Sequence, residues 1–188
     1  MVNIKKIIVT GSSSGIGNSI TKTLIKNKIK VIGISRNKDK NVIKSKYFQS
    51  EEIDLSELKK IPMKIEKVLD QNEDVEGLIS CAGVGNFGNI ENFSVDKILS
   101  SIHTNLLSHI MLTKYLVPFL KKKNKGNLIY IGSESALNGG KKGSLYSAAK
   151  FGLRGFTQSI RAEVASRNIT VTLINPGMVK TNFFNNLD

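Results

Sequence analysis

The residue pattern that most directly suggests chemistry is Tyr146-Ser147-Ala148-Ala149-Lys150, in which a tyrosine and a lysine stand four positions apart. In a helix this spacing places both side chains on one face. A free tyrosine has a pKa near ~10, and a neighbouring ammonium stabilises the phenolate, which brings the pKa toward the range useful for general acid/base work. A tyrosine and a lysine on a solvated surface have the same spacing, so other residues must decide whether this pair is catalytic.

A serine at the end of an apolar run is the first of these. Ser133 follows Gly126–Gly132, a segment typical of a buried strand, and precedes Tyr146 by a short loop and one helical turn. In an open parallel sheet the carboxyl ends of the strands line the ligand crevice. Ser133 is therefore expected on the same rim as the glycine-rich turn that follows the first strand.

That turn is Thr10-Gly11-Ser12-Ser13-Ser14-Gly15-Ile16-Gly17. Glycines at this spacing permit a tight turn, close approach of the backbone to a pyrophosphate, and close helix–strand packing, while the helix N-terminus supplies free N–H groups. The alternative is an ordinary turn without a ligand. The position of this turn after the first strand of a βαβ unit favours dinucleotide binding. The predicted contacts are Gly11, Ser13, Ser14, Gly15, Ile16 and Gly17.

The end of the second strand predicts which dinucleotide is bound. An acidic residue there would favour NAD, but the sequence has Ser35-Arg36-Asn37, and Asp39 comes only later. A hydroxyl and a guanidinium suit a 2′-phosphate. We therefore expect NADP, with NADPH preferred over NADH; the alternative is that Arg36 is merely solvated.

Apolar strands alternate along the chain with helices that have a regular hydrophobic period, and these elements must position the residues described above. The predicted strands are Ile4–Thr10, Lys30–Ser35, Lys46–Ile53, Val75–Cys81, Gly126–Gly132 and Ile169–Ile174. The predicted helices follow the glycine-rich turn to about Lys26 and then span Leu55–Leu69, Ser94–Lys123 and Ser144–Arg167, the third with a stripe of Ile98, Ile102, Leu106, Ile110 and Thr113. Strands that are apolar on both faces indicate a parallel sheet covered by helices on both sides. The predicted fold is α/β, a Rossmann-type doubly wound sheet with strand order 3-2-1-4-5-6, in one domain over 1–188.

Composition limits the possible functions. The chain has 188 residues and a charge of 28 − 15 = +13, which raises the possibility of nucleic-acid binding. Lysine is scattered, however, and the densest cluster, Lys121–Lys125, follows an apolar helix, where cations favour the helix dipole. We therefore expect no nucleic-acid partner. With one cysteine, no signal peptide and no spanning segment, a cytoplasmic protein without membrane attachment is expected.

Taken together, these motifs resemble the classical short-chain dehydrogenase/reductase family over essentially the whole chain. The matching pieces are Thr10 to Gly17, Asp54-Leu55-Ser56, Cys81-Ala82-Gly83, Asn105, Gly132-Ser133, Tyr146 with Lys150, and Asn175-Pro176-Gly177 with Thr181. Several motifs in the family's order are far more specific than any one of them.

The resemblance implies a role for each catalytic residue. Tyr146 resembles the residue that exchanges a proton with the carbonyl or alcohol oxygen, and Ser133 the one that hydrogen-bonds that oxygen. Lys150 resembles the residue that binds the nicotinamide ribose and lowers the tyrosine pKa. Asn105 matches the asparagine that supports a water and a proton relay, although a polar residue on an exposed helix face is the alternative.

The resemblance also implies further cofactor contacts. Asp54 and Leu55 resemble the adenine-contacting pair, although an N-cap before Ser56-Glu57 explains Asp54 almost as well. The loop that orients the carboxamide is matched by Pro176, Gly177, Val179 and Thr181, and the turn near the adenine ribose by Cys81, Ala82 and Gly83. The implied chemistry is hydride transfer between nicotinamide and a carbonyl carbon, with no metal.

Two departures from the family pattern stand out. The family usually has Asn-Asn-Ala-Gly where this chain has Ser80-Cys81-Ala82-Gly83, so the side chains that tie down the strand end differ and lower cofactor affinity is expected. Family members also add a substrate-covering helical segment and a seventh strand after the nicotinamide loop, which this sequence lacks. A shortened chain, an unrecorded C-terminal segment and a naturally short protein all fit.

Two functions are therefore compared. The first is an NADP(H)-dependent oxidoreductase that interconverts a carbonyl and an alcohol on a small-molecule substrate. The second is a catalytically weak or inactive dinucleotide-binding regulator or scaffold, which the retained Ser133, Tyr146, Lys150 and Asn105 argue against. Because family oligomers often pair the long helix with the helix that carries Tyr146, a homodimer or homotetramer is expected.

Overall fold

The fold is a six-stranded parallel sheet. The computed structural model describes residues 6–40, 43–181 and 183, and within them the strand order is β3-β2-β1-β4-β5-β6, as predicted. Ile4 and Lys5, the first two positions of the predicted first strand, lie outside the described residues. The strands are β1 Lys6–Thr10, β2 Lys30–Ser35, β3 Phe48–Glu52, β4 Val75–Ser80, β5 Gly126–Ile131 and β6 Ile169–Ile174.

Helices cover both faces of the sheet, which confirms the doubly wound α/β class. Successive residues of a strand point to opposite faces, so Ile7 and Val9 pack beneath α1, while Ile8 joins the larger core on the other face. That larger core is closed mainly by α2, α4 and α5. The helices are α1 Gly15–Lys26, α2 Ile61–Asp70, α3 Val95–Ile102, α4 Ser108–Lys123 and α5 Ser144–Val164.

The second helix is shorter than the predicted Leu55–Leu69. A single 3₁₀ turn, Leu58–Lys60, precedes α2, whose first turn contains Pro62. Proline is well tolerated there because the N–H groups of the first turn have no partner inside the helix. The amphipathic pattern therefore extends further back than the helix itself.

The predicted single helix Ser94–Lys123 is interrupted. A π-helical turn, His103–Leu107, separates α3 from α4. Such a turn inserts one residue and shifts the phase of the side chains that follow. The fully buried face of α4 is therefore formed by Leu112, Leu116 and Leu120, whereas of the predicted stripe only Thr113 is fully buried.

The carboxyl edge of the sheet gathers the turns that carry the predicted site. The turn after β1 leads into α1, and the turn after β4 leads toward α3. The end of β6, from which the last loop starts, is joined to the end of β5 by a backbone hydrogen bond from Gly132 N to Ile174 O of 2.7 Å. Among the described residues, none of the helices has the length and apolar character that crossing a membrane requires.

Candidate active site

A cleft of about 710 Å³ opens at the carboxyl edge of the sheet. Its lining comes from the turn after β1, the end of β2, the turn after β4, α3, the end of β5 together with α5, and the loop after β6. This is the crevice in which open α/β sheets bind ligands.

The glycine-rich turn forms one wall, with Gly11, Ser14, Gly15, Ile16 and Gly17 lining the cleft. Gly11 and Gly15 have φ values of +69° and +51°, which L side chains rarely adopt, and a Cβ on Gly17 would overlap the carbonyl oxygen of Gly11. The N-terminus of α1 has neither a side-chain cap nor an acidic residue in its first turn. Its amide donors and positive dipole end are therefore available to an anion.

The end of β2 contributes one of its two predicted residues. Arg36 is exposed and lines the cleft. Ser35 does not line it, because its side chain is buried and its Oγ donates to the carbonyl of Asn37 at 2.9 Å. The prediction that the Ser35 hydroxyl faces the cofactor is therefore not supported by its position.

Three further predicted contacts also lie away from the cleft lining, namely Ser13, Asp54 and Leu55. The carboxylate of Asp54 accepts hydrogen bonds from the Ser56 backbone N–H at 2.9 Å and the Ser56 hydroxyl at 2.7 Å. It closes a local turn rather than capping α2, which begins only at Ile61. Leu55 is buried in the core under the sheet.

The turn after β4 brings Cys81, Ala82 and Gly83 to the cleft. Its backbone is held from the side of β1, where the hydroxyl oxygen of Thr10 accepts from the N–H of Cys81 at 2.9 Å and from the N–H of Ala82 at 3.0 Å. Burial raises the pKa of the Cys81 thiol to about 11. The thiol is therefore protonated at neutral pH and a poor nucleophile.

Tyr146, Ser133 and Lys150 meet in the same cleft. Tyr146 is only 7% exposed, and the Nζ of Lys150 lies 5.6 Å from the centre of its ring. Burial raises the pKa of Tyr146, and hydrogen bonding to Ser133 opposes that rise. From the sequence we expected the pKa of Tyr146 to fall, but in this arrangement it is raised. The phenol therefore keeps its proton at neutral pH.

Lys150 is deeply buried, with 3% of its surface exposed. Its ammonium donates to the carbonyl of Ile131, the last residue of β5, at 2.8 Å. Burial lowers the pKa of Lys150 to about 8. A buried cation with one protein acceptor has donors left for another polar partner in the cleft.

Asn105 lies behind the cleft rather than in its lining. It belongs to the π-helical turn and is fully buried. Its Oδ1 accepts from the Val84 N–H at 2.9 Å, and its Nδ2 donates to the Val84 carbonyl at 3.0 Å. Asn105 therefore fixes the backbone of Val84, which does line the cleft.

The loop after β6 covers the opposite wall with Pro176, Gly177, Val179 and Thr181. It is anchored to the segment that carries Ser133: the Ser133 N–H donates to Asn175 Oδ1 at 3.2 Å, and the Glu134 N–H donates to the Pro176 carbonyl at 3.0 Å. The position of this loop and that of Ser133 are thus coupled.

The cleft also contains residues that the sequence argument missed. Lys97 of α3 and Lys180 of the loop after β6 line it. With Arg36 and Lys150 they make four basic side chains among its described lining residues, none of which is Asp or Glu. Lys97 is far from any motif in the sequence, whereas Lys180 stands beside Thr181 and could have been found there. In the described part of the chain, no group of His, Cys, Asp and Glu side chains could hold a metal ion.

Two aromatic rings pack against Tyr146. The ring centroids of Phe87 and Phe183 lie 5.4 Å and 5.6 Å from that of Tyr146, and 6.4 Å from one another. Phe87 follows the β4 turn, and Phe183 follows the loop after β6. They form an apolar wall against the ring of Tyr146.

This combination of a glycine-rich turn, a buried tyrosine–lysine pair and a serine on one rim is matched by a known family. The sequence profile of the short chain dehydrogenases covers residues 5–188. The chain belongs to this family. The short-chain dehydrogenase described here is therefore an oxidoreductase that acts on carbonyl and alcohol groups of small molecules with a nicotinamide dinucleotide.

Curated relatives agree with this assignment. A 3-oxoacyl-[acyl-carrier-protein] reductase of Buchnera aphidicola (subspecies Acyrthosiphon pisum) is 35% identical over 191 residues, covering 100% of this chain and 78% of that protein. An NADP-dependent 3-hydroxy acid dehydrogenase of Schizosaccharomyces pombe is 32% identical, covering 95% of this chain and 73% of that protein.

Solved structures agree on the fold. A metagenomic short-chain oxidoreductase in complex with NADP superposes with a TM-score of 0.87 at 27% identity, covering 94% of this short-chain dehydrogenase and 83% of that chain. Similar structures include complexes with NADP and with NADH.

Proposed function

We propose that this short-chain dehydrogenase is an NADP(H)-dependent oxidoreductase that interconverts a carbonyl and an alcohol. The observation that carries the proposal is the convergence, in one cleft, of an uncapped helix N-terminus, four basic side chains and the Ser133–Tyr146–Lys150 group. When bound, the nicotinamide supplies or accepts the hydride.

The cleft is suited to a dinucleotide on steric grounds. Backbone crowds the space beside Gly17, and the left-handed backbone at Gly11 and Gly15 leaves room where side chains would otherwise stand. A pyrophosphate needs this close approach to backbone amides. We propose that Gly11, Ser14, Gly15, Ile16 and Gly17 hold it.

The electrostatics of the cleft support NADP(H) over NAD(H). Arg36 stands at the end of β2, where an acidic residue would repel a 2′-phosphate, and Lys97 and Lys180 add positive charge. A guanidinium–phosphate contact is a charge-assisted, often bidentate hydrogen bond. The Schizosaccharomyces pombe relative, which is NADP-dependent by name, agrees with this preference.

The roles proposed for the acid/base residues follow from their contacts. Tyr146, protonated at neutral pH, donates its proton to the carbonyl oxygen during reduction. Ser133, on the same rim, hydrogen-bonds that oxygen and holds it near the phenol. Lys150 directs its remaining donors toward the cofactor ribose, and Asn105 fixes the Val84 backbone behind the site.

The substrate proposed is a β-oxygenated acyl compound, because the names of both curated relatives place the reacting carbon at position 3 of an acid or thioester. The apolar wall of Phe87 and Phe183 beside Tyr146 suits the hydrocarbon part of such a substrate. Small uncharged ketones lacking this acyl part would be poorer substrates.

The deciding experiment follows NADPH oxidation with an acetoacetyl thioester, measured for the wild type and Tyr146→Phe. We expect turnover in the wild type and a loss of at least about a thousandfold in the variant, since the proton donor is removed, with NADPH binding unchanged. Wild-type binding of NADPH without turnover of any 3-oxoacyl thioester, ketone or aldehyde would favour the regulator or scaffold instead.

Cofactor preference is tested by Arg36→Asp. Losing a charge-assisted hydrogen bond and adding a repulsive carboxylate should weaken NADPH binding by roughly tenfold to a hundredfold and shift preference toward NADH. Lys38→Asp is the matched control, because Lys38 is exposed nearby but outside the cleft lining. Equal effects of the two variants would indicate general electrostatics, not a phosphate contact.

We also propose that the protein is a homodimer or homotetramer. Val95 and Leu99 of α3 and Phe151 of α5 are exposed, and these two helices pack side by side. An apolar face of this kind is typical of a subunit interface. Light scattering coupled to gel filtration should give at least twice the monomer mass, and Leu99→Glu should lower it.

A further inference from the structure

A buried histidine lies directly behind the cofactor cleft and has no part in the roles proposed above. His109, near the start of α4, is fully buried, and its Nδ1 is 2.6 Å from the hydroxyl oxygen of Ser80, the last residue of β4. Ser80 is fully buried as well. The pair joins the helix that follows Asn105 to the strand that leads into the cleft.

The imidazole is neutral, as its surroundings require. Burial, together with the smaller effect of the positive charge of Lys150, lowers the pKa of His109 to about 3. Within the described part of the chain, its Nε2 makes no hydrogen bond of ordinary geometry. The nearby Ala82 backbone opposes the decrease in the pKa of His109. Retaining a buried polar ring with one unsatisfied nitrogen is costly, so a role in packing alone explains it poorly.

The Ser80–His109 pair holds the end of β4, which leads directly into a turn that lines the cleft. Cys81, Ala82 and Gly83 follow Ser80 immediately and line the cleft. Thr10 holds the backbone of this turn from the side of β1. The Ser80–His109 hydrogen bond holds its base from the side of α4. The turn is therefore fixed from both of its neighbours in the fold.

We propose that His109 is a positioning residue: through its hydrogen bond to Ser80 it fixes the turn 81–83 in the conformation that receives the dinucleotide. The proposal rests on the proposed function for its ligand. It also accounts for the serine at position 80, because a larger side chain there would collide with the imidazole. The affinity loss expected from the departure at Ser80-Cys81 is thereby offset by a contact from another element.

The experiment measures the dissociation constant of NADPH by calorimetry, well below the melting temperature, for Ser80→Ala, His109→Leu and the double variant. Each single variant should weaken NADPH binding about tenfold, the value of one buried hydrogen bond, and the double variant should be no weaker than either. His109→Asn, whose amide can occupy the place of Nδ1, should restore binding to within about threefold of the wild type.

Tyr130→Phe is the matched control, because it removes one buried hydroxyl. Tyr130 of β5 is fully buried, and its hydroxyl shares a hydrogen bond of 2.6 Å with Thr113, away from the cleft lining. Tyr130→Phe should lower the melting temperature as much as Ser80→Ala does, yet leave NADPH binding unchanged. In steady-state kinetics the Ser80 and His109 variants should raise the KM for NADPH with kcat nearly constant.

Additive effects in the double variant, no rescue by asparagine, or an equal loss of NADPH binding in Tyr130→Phe would each overturn the proposal. Should His109→Leu fail to fold, Ser80→Ala against Tyr130→Phe decides alone, because removing one oxygen leaves the packing nearly intact. A wild type that binds neither NADPH nor NADH would instead refute the proposed function, so the two failures are distinguishable.

Discussion

The sharpest energetic prediction concerns Lys150→Met. In the folded protein burial takes the pKa of Lys150 from its ordinary 10.5 to about 8. The unfolded chain therefore binds the proton more tightly than the folded one. Below pH 8 the folded state bears the full cost of a buried ammonium, and that cost disappears as the pH rises from about 8 to 10.5.

The magnitude follows from the difference between these two pKa values. At about 1.4 kcal/mol per pKa unit, the buried charge costs about 3 kcal/mol at pH 7 and about 1 kcal/mol at pH 9.5. Methionine has a similar length and no charge to bury. We therefore expect Lys150→Met to be more stable than the wild type by about 3 kcal/mol at pH 7, or about 6–12 °C in melting temperature, and to be inactive.

The assay is urea unfolding at pH 7 and pH 9.5 without cofactor. Lys22→Met is the control, because Lys22 is exposed on α1, and its effect should stay within about 0.5 kcal/mol at both pH values. Destabilisation by Lys150→Met at pH 7, or a gain that is the same at both pH values, would refute the argument. Destabilisation would mean that the hydrogen bond to Ile131 outweighs the cost of burial, and a pH-independent gain would mean that the charge of Lys150 is not the source of the gain.

Two further predictions concern the backbone of the cleft. Gly17→Ala should abolish NADPH binding and lower the melting temperature, because the new Cβ overlaps the Gly11 carbonyl. Gly155→Ala in α5 has open space around it and should stabilise the protein by about 0.5–1 kcal/mol. Thermal melts with and without NADPH measure both variants, and equal effects would contradict the steric explanation. Thr10→Val should weaken NADPH binding about tenfold by leaving two turn amides without an acceptor, and Thr10→Ser should restore it; calorimetry that finds valine and serine equivalent would contradict this.

The fold was largely predictable because its signals are local. Every strand except β3 contains a short apolar run, and each helix has its own period, so the alternation and the parallel order follow from general rules. The interruption at His103–Leu107 was not predictable in this way. The helical period continues on both sides of it, and Asn105, which lies within it, pairs with the Val84 backbone, a contact between distant parts of the chain that no local period indicates.

The candidate site shows the same division. The glycines of the first turn could be placed because their spacing within one turn reflects a backbone requirement. Lys97 could not, since only the tertiary fold brings α3 over the cleft. Ser35 lies outside the cleft lining for a local reason, because a hydroxyl at a strand end has a competing carbonyl two residues ahead. Motifs thus identify which strand ends take part, and packing decides which side chains face the ligand.

The uncapped start of α1 has a consequence for the lifetime of the protein in a cell. No side chain caps that helix, so its first amides are free to bind the phosphate of the proposed cofactor, which would complete the hydrogen bonding of the helix. Binding that occurs only to the folded state adds about 2.7 kcal/mol of stability at a ligand concentration of one hundred times Kd. Proteases act on opened chains, so degradation should slow when the dinucleotide pool is full and accelerate when it is depleted. Abundance of the enzyme would then follow supply of its own cofactor.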